Sequence, residues 1–257
     1  MSVKEKDNGL KIKLQNIFSS YKWYEILFYF IGVFAIILVS IFCKSSILTI
    51  FLSILGLTYV FLVSKKFKFA IIFGVIYTTL YVVQSAFYKN WGEFIINLCV
   101  VLPILIVSMI SWFLKNDKRS LKVQSKKISF KEILILLLVS AVVSVGFYFV
   151  LQYFNTPNLI VATLSLFITI LGNYLLMRQS PLMFYAYILN NIVVILIWLL
   201  PVLQGEKNAI ETLPMLIVFS FYLIFNILGA INWYKKENVK NENNFQENIA
   251  DGNLENQ

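Results

Sequence analysis

The sequence predicts an all-α membrane protein with eight transmembrane helices, and three observations lead there. Hydrophobic residues make up 59% of the 257-residue chain, with a mean hydropathy of +0.78, against about 45–50% in soluble domains. The apolar residues form continuous runs of about 17–23, a length that suits a hydrocarbon core of about 30 Å at about 1.5 Å per residue. They do not show the ten-residue alternation of an outer-membrane barrel. Finally, Lys and Arg gather in alternate connections between the runs.

Residues 1–23 form a polar, basic segment in which Leu10, Ile12, Leu14 and Ile17 permit a short interfacial helix. The first apolar run, 24–43, has no small-residue cleavage site after it, so it reads as a helix rather than a removed signal peptide. Further runs span 47–63, 69–87, 92–114, 132–154, 159–177, 181–203 and 211–233. The linker 115–131, KNDKRSLKVQSKKISFK, reads as a solvated anchor at the lipid headgroups, with docking of a soluble partner as the alternative. The tail 234–257 is rich in Asn, Glu and Lys, which predicts disorder. Eight crossings place both termini on one side. That side holds 19 of the 22 Lys and Arg residues, and the other only Lys44, Lys89 and Lys207. Both termini are therefore expected in the cytoplasm.

Ser108-x-x-x-Trp112 near the end of the fourth run recurs 121 residues on as Gly229-x-x-x-Trp233, each followed by basic residues. At an offset of 114, Tyr77 and Tyr81 fall on Asn191 and Ile195. These matches divide the chain into an additional N-terminal helix (24–43), a first three-helix repeat (47–114), a connecting helix (132–154) and a second three-helix repeat (159–233). The result is a 3+1+3 core of two parallel units. Transporters built from such repeats bind substrate near mid-membrane, between the units.

Composition excludes several functions. Two cysteines, Cys43 and Cys99, give no disulfide framework, and with no His a metal site is not expected. The net charge of +9 follows from the loop bias and does not imply nucleic acid. Glu25, Glu93, Glu132 and Glu211 all sit at run ends, and no ionisable residue lies deep in a run. This argues against an enzyme and against proton coupling. No GxxxxGK[ST] motif is present, so the chain does not pump with ATP by itself. No cofactor is expected. Facilitated diffusion is the simplest mechanism left.

Polar side chains mark the candidate site. At about 100° per residue, Phe184, Tyr187 and Asn191 share one face of the seventh run. Tyr77, Tyr81 and Gln84 lie within about 60° on the third. Asn97, Ser108 and Trp112 do so on the fourth, where Pro103 predicts a kink. The sixth carries Asn173 and Tyr174, and the eighth Tyr222, Asn226, Gly229 and Trp233. A single intramembrane Asn serves most simply to hydrogen-bond a neighbouring helix. Trp23, Trp91, Trp112 and Trp233, near run ends, read most simply as interfacial belt residues. Amide-plus-aromatic faces on four runs, in both halves, instead suit recognition of a neutral or weakly charged ring compound.

The stretches ILGLTYVFLVSKK (54–66), IFGVIYTTLY (72–81), INLCVVLPILIVSMISWFLKN (96–116), LFITILGNYLLMRQ (166–179) and FNILGAINWYKK (225–236) give the chain a family resemblance. It resembles the PnuC-type vitamin transporters, bacterial carriers of nicotinamide riboside, over about residues 22–236. The resemblance implies an enlarged relative of the SWEET sugar-carrier plan in a bacterial cell membrane. It implies uncoupled transport, trapping of the substrate by a kinase, and a homotrimer. The family's Trp-x-x-Trp and following Asn correspond here to Phe184, Tyr187 and Asn191; its Gln and Gly before Trp112 correspond to Leu105 and Ser108. Tyr77 stands where the family often has Asn.

The expected substrate is therefore nicotinamide riboside. Phe184, Tyr187 and Tyr81 would flank its ring, and Gln84, Asn97, Asn191 and Asn226 would hydrogen-bond its polar groups. Trp112 and Trp233 would gate the cytoplasmic end. Thiamine, riboflavin or a nucleoside or deoxynucleoside is the alternative cargo, motivated by the missing indoles. A membrane scaffold working through 115–131 is the alternative from another class.

Overall fold

The computed structural model describes residues 22–87, 91–114, 116, 120–155, 159–203 and 213–250. Residues 1–21, 88–90, 115, 117–119, 156–158, 204–212 and 251–257 lie outside that description. Eight helical elements follow in order: α1 (Trp23–Phe42), α2 (Ile47–Ser64), α3 (Ala70–Phe87), α4 (Trp91–Leu114), α5 (Phe130–Tyr153), α6 (Leu159–Met177), α7 (Met183–Leu203) and α8 (Leu213–Ala250). Seven are long and apolar enough to cross a membrane, α8 through Pro214–Tyr234, and α7 adds the apolar stretch Met183–Leu196.

Local chemistry sets the boundaries. Ser46 and Ser129 cap α2 and α5 by accepting from the Thr49 and Glu132 amides, each at 3.2 Å. Helix ends close on non-glycine residues with left-handed backbone: Lys44, Lys66, Asn155 and Gln179, at φ of 52°, 62°, 51° and 61°. The residue after the turn donates five back, Phe67 N to Leu62 O at 3.2 Å and Ser180 N to Leu175 O at 2.9 Å. The predicted kink in α4 takes a definite form. A π turn spans Asn97–Val101, and the Leu102 amide reaches back five residues to the Asn97 carbonyl. Pro103 cannot donate, and its ring would crowd the carbonyl of Cys99 in a regular helix; the wider turn relieves both problems.

Six helices close a ring in the order α2, α3, α4, α6, α7, α8, with α8 returning to α2. Two stand outside it: α1 packs on α2 and α8, and α5 on α6. The outer helices expose large apolar side chains, such as Phe30 and Phe34 on α1 and Leu138, Val142 and Phe149 on α5. Such surfaces need an apolar solvent, and helices that satisfy their own backbones suit that solvent. This is a multi-pass membrane protein.

The two halves repeat the same local devices. Glu25 at the start of α1 pairs with Lys65 at the end of α2, and Glu132 at the start of α5 pairs with Arg178 after α6. The Arg178 guanidinium is held above its ordinary pKa, first by its hydrogen bond to Glu132. Lys44 and Asn155 turn α1 into α2 and α5 into α6 with the same backbone, as Lys66 and Gln179 do for the next turns. Two readings are thereby changed. The helix over 24–43 is not an unmatched addition, because α1 has its counterpart in α5. The offset between α3 and α7 is 113, from Ala70 and Met183 and from Lys66 and Gln179, so Tyr77 stands opposite Asn190 rather than Asn191.

Two other expectations are corrected. The tail from 234 is helical through Ala250 rather than disordered. No Gly or Pro interrupts 230–250, and extending an existing helix avoids the cost of nucleating one. The described part of 115–131 is not a free anchor either. Its backbone is tied to both turns at the basic end, Lys68 N to Leu121 O and Val123 N to Lys66 O at 2.8 Å, and Lys126 N to Gln179 O at 3.0 Å. Val123 is the apolar residue that draws it in, buried in the main core.

Candidate functional site

The ring is closed at the basic end, where α2, α4 and α6 finish. Trp112 of α4 donates its indole N–H to the Leu176 carbonyl at 3.0 Å, and Trp233 of α8 donates to the Val63 carbonyl at 3.1 Å. Each indole adds a second donor to a carbonyl at a helix C-terminus of the opposite half, beside the Gln179 amide on Leu176 O and the Lys66 amide on Val63 O, both at 2.9 Å. Both side chains are fully buried, so these two tryptophans are not belt residues, whereas Trp23 and Trp91 are exposed. Phe184 is also fully buried and meets Trp233 edge-on at 5.5 Å. Its ring occupies the place of a side chain at Gly229, where an added Cβ would come within 2.2 Å. The predicted residues Trp112 and Phe184 thus form the closed end.

Inside the ring the helix contacts are made by tyrosine over glycine. Tyr59 of α2 lies over Gly74 of α3, and Tyr187 of α7 over Gly172 of α6. Both pairs join the same helices of their half, with the two residue types exchanged. Tyr222 of α8 places its hydroxyl over Gly56 of α2, beside the Tyr77 ring of α3. Helices α3 and α8 are not neighbours, so Tyr77 and Tyr222 meet across the interior. Tyr77 and Tyr81 stack at 5.9 Å with planes 23° apart. The Tyr187 hydroxyl donates to Asn173 Oδ1 at 3.3 Å.

The predicted amides divide by partner. Gln84 donates to Thr49 Oγ1 at 2.7 Å and ties α3 to the start of α2. Asn190 accepts from Ser165 at 2.9 Å and ties α7 to α6. Asn191 is 5% exposed, and its amide nitrogen has no hydrogen-bond partner. The buried Tyr222 hydroxyl also lacks a hydrogen bond of ordinary geometry, although it faces Tyr77. Asn226 is buried on the same helix as Tyr222. Asn97 opens the π turn and donates to the Glu93 carbonyl at 2.8 Å and to its Oε2 at 3.0 Å.

The structure therefore gathers Tyr77, Tyr81 and Asn97 with Tyr222, from the polar face of the eighth run, and with Glu93, which stood outside the predicted set. Tyr187 joins Asn173 and Tyr59, while Gln84 lies apart at the Thr49 contact. Glu93 escaped because its position near a run end suggests solvent; only its four-residue spacing to Asn97 hinted at the contact. A crevice of about 640 Å³ lies outside the ring, between α4, α5 and α6. Its walls, including Val100, Ile104, Val139 and Ile170, are mostly apolar, with Lys131, Glu132 and Tyr174 at one end, and suit lipid rather than a polar ring compound. No cluster of metal-binding side chains occurs among the described residues.

The same architecture is found in known proteins. The crystal structure of the vitamin B3 transporter PnuC superposes with a TM-score of 0.70, covering 91% of this chain and 97% of that one at 22% identity. The nicotinamide riboside transporter PnuC of Neisseria mucosa is 25% identical over 210 residues, 80% of this chain and 78% of its own. These relatives are transporters, in keeping with the reading of a carrier and not an enzyme. The family model for nicotinamide mononucleotide transporters matches residues 46–235, three helices of the first half, all four of the second, and both tryptophan latches; the chain belongs to that family.

Proposed function

We propose that this protein takes up nicotinamide riboside by facilitated diffusion. The observation that carries the reading is the ring interior of a chain in this family. Tyr77, stacked on Tyr81, meets Tyr222 of the other half, Asn191 and Asn226 are buried, and the Asn191 amide is buried without a partner. A substrate that hydrogen-bonds Asn191 would relieve a desolvated donor, which costs about 1–3 kcal/mol when unpaired. Stacking on a tyrosine adds about 1–3 kcal/mol per ring. With a second stacked ring and a few further hydrogen bonds these terms reach the micromolar range, about 8 kcal/mol.

In this reading the two units rock to give alternating access, and Trp112 and Trp233 with Phe184 close the inner end. Both termini face the cytoplasm of a bacterial cell membrane, the protein works as a homotrimer, and phosphorylation traps the substrate inside. Isothermal calorimetry on purified protein decides. Nicotinamide riboside is expected to bind at micromolar concentration; no heat from it, or from thiamine, riboflavin and nucleosides, sinks the proposal.

A second cargo has one observation in its favour. Phe184, at the position of a family indole, is packed between Gly229 and Trp233 and offers no free face. That loss of a stacking surface favours thiamine or another nucleoside-like compound. Competition in the same calorimeter ranks them.

A further inference from the structure

We propose that Glu93, with Asn97 and Tyr81, makes this carrier selective for positively charged ring compounds. The inference rests on the carrier reading above and concerns which compounds that carrier accepts. It reverses the expectation of a neutral or weakly charged ligand drawn from uncharged helix faces.

The argument begins with charge. Glu25, Glu93 and Glu132 stand in the first turns of α1, α4 and α5. Glu25 has Lys65 and Glu132 has Arg178, whereas Glu93 has no cationic partner among the described residues. Its neighbours are neutral donors: the Asn97 amide at 3.0 Å and the Tyr81 hydroxyl, directed at the carboxylate. Two neutral donors hold a carboxylate in place without cancelling its charge. A carboxylate in a transmembrane helix with no counter-charge among the described residues suits a mobile one.

Position supports the same conclusion. The Glu93 carboxylate points along the helix to Asn97 instead of capping its own first turn. Asn97 begins the π turn, so a local widening of α4 fixes its direction. Behind Tyr81 lies the Tyr77 ring, and against Tyr77 the buried Tyr222 hydroxyl. A strip of tyrosines thus leads from Glu93 into the interior. Aromatic faces attract cations and a carboxylate adds to that attraction. A pyridinium or thiazolium ring gains from both; an uncharged isoalloxazine or nucleobase gains from neither charge term.

The test compares nicotinamide riboside with its uncharged benzene isostere, benzamide riboside, on the purified full chain. The wild type is expected to bind the cation more tightly. Glu93→Gln should lower affinity for the cation by about tenfold or more, the scale of a charge interaction in a partly solvated site. It should change affinity for the isostere by less than about threefold, and Glu93→Asp should restore part of the preference. A purely structural Glu93 predicts equal losses for both ligands, and so does a proton-carrying one; either pattern overturns the proposal. If Glu93→Gln does not fold, the wild-type comparison still decides, because equal binding of cation and isostere overturns it. A wild type that binds neither ligand refutes the carrier reading instead.

Discussion

At the scale of single residues, the two adjacent asparagines of α7 have opposite roles. Asn190 is paired across to Ser165, and Asn191 is buried with an amide that has no partner. Removing a paired group costs stability, whereas removing an unpaired one does not. Asn190→Ala should lower stability in detergent by about 0.6–2 kcal/mol. Asn191→Leu should leave the melting temperature unchanged or raised and abolish substrate uptake. Thermal unfolding beside an uptake assay checks the pair; a destabilised Asn191→Leu protein would mean that its amide is structural. Gly229 is tested in the same way. A Cβ there would meet the Phe184 ring at 2.2 Å, in a place already closed by Trp233. Gly229→Ala should cost about 1–3 kcal/mol through overpacking. Neither distinction could be read from the sequence. Helical spacing places Asn191 with Tyr187 and Phe184, but which amide finds a partner depends on the neighbouring helix.

At the scale of the element, α4 shows how one proline shapes a site. Pro103 is legible as a kink, yet the sequence does not say where the helix yields. It yields before the proline, at Asn97–Val101, because the crowded carbonyl lies four residues back. A π turn accommodates one extra residue, so its loss turns everything before it by about 100°. Pro103→Ala permits that relaxation and would swing Glu93 and Asn97 away from Tyr81. The expected outcome is a folded protein with substrate affinity weakened by about tenfold or more, about 1.4 kcal/mol. Unchanged calorimetric affinity would show that the turn does not depend on Pro103. Helix limits, by contrast, were legible nearly to the residue, since apolar run length and Ser46 and Ser129 caps dictate them. The α8 extension to Ala250 was missed because composition describes an isolated tail, not one continuing a packed helix.

At the scale of the molecule, the repeat was half legible. The small residue and tryptophan at an offset of 121 are visible because both halves need an indole donor at the same helix end. The offset of 113 is hidden, because what recurs there is geometry. Lys66 and Gln179 share a left-handed backbone but no chemistry, and Tyr59 over Gly74 answers Gly172 under Tyr187 with the residues exchanged. Self-comparison finds mismatches where the two halves are equivalent. The equivalence has a mechanical consequence. Each indole reaches from one half to a helix end of the other, Trp112 to Leu176 and Trp233 to Val63, so both latches resist separation of the halves at the basic end. The rocking proposed above would have to break them. Trp112→Phe and Trp233→Phe each remove one of the two hydrogen bonds that their carbonyl accepts, at about 0.5–1.5 kcal/mol. That cost falls on the closed arrangement, and it should shift the population toward the state open at the basic end. The expected result, in a cysteine-free background, is faster maleimide labelling of Ser111→Cys when Trp233→Phe is added, from the side of the basic end only. Ser111 is suited to report this, because it is buried beside the Met177 carbonyl at 3.5 Å. Labelling that does not change with either tryptophan would mean that the latches hold the fold and take no part in the gate.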